Sequence, residues 1–128
     1  MTAGATRLLL VEDDLTLQET LDMALTDMGY DVVVACNGTQ ALALLHADAA
    51  QFEEIVTDID LGVGPDGWDV GRCARELVAD MTIIYMSGNA GSEWPAEGVP
   101  NSIFVAKPFA LRQIFAALAN ALSKSAPM

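Results

Sequence analysis

This sequence predicts an α/β fold: a doubly wound parallel sheet of five strands with five helices. Three observations predict it. Apolar runs alternate with helical patterns along the whole chain. The runs are continuous rather than alternating, as strands covered on both faces must be. Several of them end in acidic, hydroxyl or ammonium groups, which is where open α/β sheets place their chemistry. Strands that alternate with helices are parallel and joined by right-handed crossovers, so helices cover both faces.

The elements follow in order. Arg7–Val11 is strand one. Thr16–Met28 is helix one, with Leu17, Leu21, Ala24, Leu25 and Met28 on one face; Asp14 is placed to cap its start and Gly29 to end it. Asp31–Cys36 is strand two, Asn37-Gly38 a turn, and Thr39 to about Ala47 helix two. Glu54–Asp58 is strand three. A glycine-rich loop, Leu61 to Gly67, leads to helix three at Trp68 to about Val78. Met81–Ser87 is strand four. Between Gly88 and Asn101, Pro95, Pro100 and repeated glycines leave room only for a short or irregular helix four. Ser102–Lys107 is strand five, and Leu111, Ile114, Phe115, Leu118 and Leu122 form the apolar stripe of the last helix. Chain length and strand count fit the flavodoxin-like order 2-1-3-4-5. A single domain over residues 1–128 is expected, with an ordered core from about 6 to 124 and loose termini.

Composition narrows the function. Six basic against eighteen acidic residues give a net charge of −12, which argues against a nucleic-acid or membrane surface. No apolar run approaches the ~20 residues of a membrane span, and no export signal opens the chain, so a cytoplasmic protein is expected. Two cysteines, Cys36 and Cys73, are too few for a disulfide framework and read as small apolar fillers. His46 reads as a surface residue. Trp68 and Trp94 read as packing or surface anchors.

The order 2-1-3-4-5 sets strands one and three side by side. Glu12 and Asp13 then lie next to Asp58. Such carboxylates raise one another's pKa unless a cation neutralises them, and a hard divalent ion such as Mg2+ suits oxygen ligands. Asp13 and Asp58 would bind directly, Glu12 through a water or a long reach, and the backbone carbonyl of Asp60 would add an oxygen. A metal with a nearby ammonium and hydroxyl is equipped for phosphoryl transfer. Asp58 would be the nucleophile, Lys107 would pair with one phosphoryl oxygen and Ser87 would donate to another.

Four pieces in order, Val11-Glu12-Asp13-Asp14, Asp58, Ser87-Gly88 and Lys107-Pro108-Phe109, resemble a two-component response-regulator receiver domain over residues 6 to about 124. The resemblance implies a signalling switch rather than an enzyme with a substrate of its own. Asp58 would accept phosphate from a histidine kinase or histidine phosphotransfer protein, with Mg2+ on Glu12 and Asp13. Ser87 and Lys107 would sense the phosphoryl group. It further implies a cis Lys107–Pro108 bond, Phe104 as a switching aromatic, and Asp60 and Asn89 at positions that tune dephosphorylation. The helix four, strand five and helix five face would contact an unknown downstream protein, with the chain a monomer or weak dimer. A free-standing regulator, a phosphorelay shuttle and a receiver excised from a hybrid kinase all stay open, with the starting Met1 and the short tail favouring the first. The sequence departs from the family pattern in the loop after Asp58, in the broken helix four, and in Phe104 where tyrosine is commoner. Two alternatives remain open. Asp58-Ile59-Asp60 resembles the nucleophile motif of haloacid-dehalogenase-type phosphatases, although the acidic pair precedes it here. A pseudo-receiver that only binds is the other.

Overall fold

The computed structural model describes residues 5–125, with side chains to residue 120. The loose ends expected at the termini, and the side chain of Leu122, lie outside the described residues. In chain order the elements are β1 Arg7–Val11, α1 Leu15–Asp27, β2 Asp31–Ala35, α2 Gly38–Asp48, β3 Glu54–Asp58, α3 Gly67–Leu77, β4 Thr82–Ser87, α4 Trp94–Glu97, β5 Ile103–Ala106 and α5 Leu111–Ser125. All pairings are parallel, in the order β2-β1-β3-β4-β5. The expected flavodoxin-like fold is therefore present.

Strand parity builds two cores, one on each face. Leu9, Ile55, Ile83 and Tyr85 pack with Leu45, Val70 and Ala74 from α2 and α3. Leu8, Leu10, Val56, Ile84 and Met86 pack with Leu21 and Leu25 from α1 and with Ile114 and Leu118 from α5. The apolar runs are continuous because both faces need them.

Side-chain caps fix where the helices begin. Asp14 Oδ1 accepts from the N–H groups of Thr16 and Leu17. Asp66 and Asp69 form a reciprocal capping box at α3. Gly29 takes a left-handed φ of 99° just after α1. The Asn37-Gly38 pair is not a turn. Asn37 caps α2 through its side chain, and Gly38 is the first helical residue. Gly38 has to be small, because a Cβ there would lie 2.1 Å from the carbonyl oxygen of Pro65. Cys36 is not a core filler either: β2 ends at Ala35, and the thiol is exposed. Cys73 is half-buried on α3, with its sulfur 3.7 Å from Nε2 of the exposed His46.

Glu54 is the anomaly of the sheet. It is 1% exposed, and neither carboxyl oxygen has a hydrogen-bond partner among the described residues. Burial, then repulsion from Glu53, pushes its pKa from 4.5 to about 7. The unfolded chain releases this proton near 4.5, while the folded chain holds it to about 7. Rising pH through that window therefore favours unfolding, and the penalty is constant above it. Glu54→Gln is expected to stabilise the fold at pH 8 by on the order of 2 kcal/mol and by much less at pH 4.5. Urea titrations at the two pH values check this; a gain independent of pH would contradict it.

Candidate phosphoacceptor site

The C-terminal ends of β1, β3, β4 and β5 meet at one edge. The ladder hydrogen bonds run one residue past the strands and fix the backbone there. Glu12 N–H donates to Ala35 O (3.1 Å), Ile59 N–H to Met86 O (3.0 Å) and Lys107 N–H to Ser87 O (2.9 Å). The groups that follow those strands are thus held by the sheet rather than by flexible loops.

Glu12 is fully buried, Asp58 is 5% exposed and Asp13 is exposed. One carboxylate oxygen from each lies within 4.8 Å of the others. Lys107 Nζ bridges two of them, 3.2 Å from Glu12 Oε1 and 3.1 Å from Asp58 Oδ2. Glu12 Oε2 also accepts from the Asp14 N–H at 3.1 Å. Burial, with Asp58 adding repulsion, pushes Glu12 up to about 7 against the pull of Lys107 and the Asp14 N–H. Burial also raises Asp58, with Lys107 opposing and Asp13 reinforcing the rise. Burial alone would lower Lys107, but Asp58 and Glu12 outweigh it and hold the ammonium charged.

Two of the three clustered carboxylates thus share one ammonium. The donor set is all oxygen, and its negative charge exceeds its positive charge. Both properties fit a hard divalent cation, which Glu12, Asp13 and Asp58 would hold.

The other predicted residues lie around this centre in different ways. Ser87 is buried, and its Oγ accepts from the N–H groups of Asn89 (3.2 Å) and Ala90 (3.0 Å). It donates its own hydrogen to Asn89 Oδ1 (3.2 Å). Asn89 and Asp60 are exposed, and the Asp60 carbonyl accepts no hydrogen bond among the described residues. The Lys107–Pro108 peptide is cis. Phe104 does not join the cluster. It is half-buried on β5, paired with Tyr85, and stacks on Trp94 with ring centroids 6.0 Å apart. Trp68 is buried with its ring 4.8 Å from that of Tyr85.

Sequence reasoning missed two supporting residues. Gln18 Nε2 donates to the Glu12 carbonyl (2.9 Å) and lies 3.6 Å from Cys36 Sγ; a polar residue inside a helical pattern gives no sign of this. Gly67 lies against the backbone of Asp58, and its place just before helix three was the available clue. Beside Lys107 a groove of about 500 Å³ is lined by Leu17, Gly88, Lys107, Pro108 and Phe109.

Residues 8–119 match the family model of the response regulator receiver domain. The chain belongs to the receiver domain family. Receiver domains are signalling switches of two-component systems, bind Mg2+ at an acidic pocket, and interact with histidine kinases or phosphotransfer proteins. A receiver protein from Sinorhizobium medicae is similar in structure, with a TM-score of 0.89 and 39% identity over 93% of this chain and 95% of that one. The receiver domain of the sensor histidine kinase PA1611 from Pseudomonas aeruginosa has a TM-score of 0.79 and 26% identity, covering 94% of this chain and 99% of that one; that structure carries a magnesium ion in its active site cleft. The transcriptional regulatory protein CusR of Escherichia coli K12 is 31% identical over 94% of this chain and 52% of CusR. This receiver domain spans about half the length of the curated relatives it matches. Some of those relatives are transcriptional regulators by name, so the argument from charge against nucleic acid concerns only the surface of these 128 residues. No helix among the described residues is long and apolar enough to cross a membrane.

Proposed function

We propose that the chain is one receiver domain in which Asp58 accepts a phosphoryl group from a histidine kinase or histidine phosphotransfer protein. The observation that carries this reading is the Lys107 ammonium shared between Glu12 and Asp58. It leaves a carboxylate pinned at a strand end, with a cation beside the oxygens that a phosphoryl group would bring. An Asp58 oxygen forms the new bond to phosphorus as the donor's phosphorus–nitrogen bond breaks, and the electron pair stays with the donor imidazole. Lys107 pairs with one phosphoryl oxygen. Ser87 turns its hydroxyl from Asn89 to another. Glu12, Asp13 and Asp58, with the Asp60 carbonyl, would hold Mg2+, which would supply charge neutralisation. Asp60 and Asn89, both exposed two residues beyond Asp58 and Ser87, set how fast water removes the phosphate.

The groove beside Lys107 supports a docking role. Leu17 and Phe109 offer apolar surface next to the reacting group, and Leu15, two positions before Leu17, is 64% exposed. The output is a change on the α4, β5 and α5 face that a partner protein reads, with the chain a monomer or weak dimer in the cytoplasm.

The test is intact mass after incubation with Mg2+ and a small-molecule phosphodonor. One phosphoryl group is expected, and chelation of Mg2+ should abolish the gain. No gain with any of several donors would sink the reading, and steady turnover of a phosphate monoester would point to a phosphatase instead.

A further inference from the structure

Ser87 and Trp94 are joined by one short segment. The Ala90 N–H that Ser87 Oγ receives belongs to a residue whose carbonyl accepts from the Glu93 N–H at 3.1 Å. That bond closes the 3-10 turn Gly91–Glu93, which runs directly into α4. Helix α4 has four residues and no side-chain cap. It is too short to persist by its own hydrogen bonds.

The Trp94 side chain supplies what the helix lacks. Its indole N–H donates to Ser102 Oγ at 2.9 Å, and Ser102 Oγ in turn donates to the Val99 carbonyl at 2.6 Å. The ring stacks on Phe104 at an interplanar angle of 29°. Gly98 lies so close that a Cβ there would be 2.3 Å from Trp94 Cδ1. Gly91 also lies against Phe104, where a Cβ would be 3.2 Å from the ring. Trp94 and Gly91 thus both border the Phe104 ring.

Ser87 has a single hydroxyl hydrogen, and Asn89 Oδ1 holds it. A charged oxygen on a modified Asp58 is a stronger acceptor than an amide. When Ser87 rotates about χ1 and carries Oγ toward that oxygen, the N–H groups of Asn89 and Ala90 lose their shared acceptor and the turn before Trp94 loosens. We propose that Trp94 is the latch of this protein, its indole seated on Ser102 and Phe104 in the resting state and released when the Ser87 hydroxyl is drawn to an anion on Asp58. The latch rests on the phosphoacceptor reading above.

The experiment titrates the protein with Mg2+ and beryllofluoride, a mimic of the phosphoryl group. It follows the bound fluoride and the two indole N–H signals by NMR, with buried Trp68 as the internal reference. The Trp94 signal is expected to move and the Trp68 signal to stay. Ser102→Ala weakens the resting state, so it should bind beryllofluoride about fivefold more tightly. Trp94→Phe keeps an aromatic ring but loses the N–H donor and part of the stacked surface, so it should shift affinity in the same direction. A hydrogen bond of merely structural value would lower the melting temperature and leave the affinity unchanged; that result overturns the latch. Bound fluoride with an unmoved Trp94 also overturns it but leaves Asp58 as acceptor. Failure of beryllofluoride to bind at all removes the phosphoacceptor reading and the latch together.

Discussion

Asp58→Asn is expected to eliminate phosphoryl acceptance while leaving the protein folded. The amide lacks the nucleophilic charged oxygen, so incorporation should fall by on the order of 10³-fold or more and vanish from the intact-mass spectrum. The fold should not follow. Burial works against the charged form of Asp58, so the amide removes a charge that the site is costly to hold. Lys107 keeps Glu12 as its partner. The thermal midpoint should therefore stay within a few degrees of the parent protein. Mass spectrometry and a circular dichroism melt on one sample separate the two effects. Undiminished labelling of the variant would show that another residue accepts the phosphate.

Gly67→Ala is expected to do the opposite: damage the fold first and the chemistry through it. A Cβ at Gly67 would lie 2.3 Å from the carbonyl oxygen of Asp58 and 2.7 Å from Cα of Ile59. Both are backbone atoms, so no side chain can turn aside. The Gly67 N–H also donates to the Ile59 carbonyl at 2.8 Å, which ties the start of α3 to the end of β3. Relief of the clash would push α3 away from Asp58. A loss of roughly 3 kcal/mol, or about 10 °C in midpoint, is expected. Gly88→Ala is the control: its Cβ would meet only the Lys107 Cβ, at 4.0 Å, an ordinary contact. Equal midpoints for the two variants would show that the Gly67 contact relaxes freely.

The sheet was legible because the central strands β1, β3 and β4 are buried on both faces and the half-buried edge strands still read as apolar runs. The cluster was legible because its members directly follow those runs, and the strand order alone brings Glu12 and Asp13 beside Asp58. What escaped sequence reasoning has specific causes. Asn-Gly serves both turns and helix caps, and only the packing of Gly38 under Pro65 decides for the cap. Cys36 was placed inside because β2 was read one residue too long; the strand lies at the sheet edge, where less backbone pairing defines its end. Glu54 was read only as the start of strand three, and its burial depends on neighbours that are remote in sequence. The side-chain hydrogen bond between Trp94 and Ser102 spans a loop with no periodic signal at all.

The contact of Gly38 with Pro65 constrains how this protein can diverge. The start of α2 and the loop after Asp58 are twenty-seven positions apart in sequence (65 minus 38) yet share one volume. A larger residue at 38 is admissible only if the loop is rebuilt, and a rerouted loop frees position 38 to vary. Related chains should therefore exchange the two features as a unit. A loop graft taken without its matching α2 residue carries half of a matched pair.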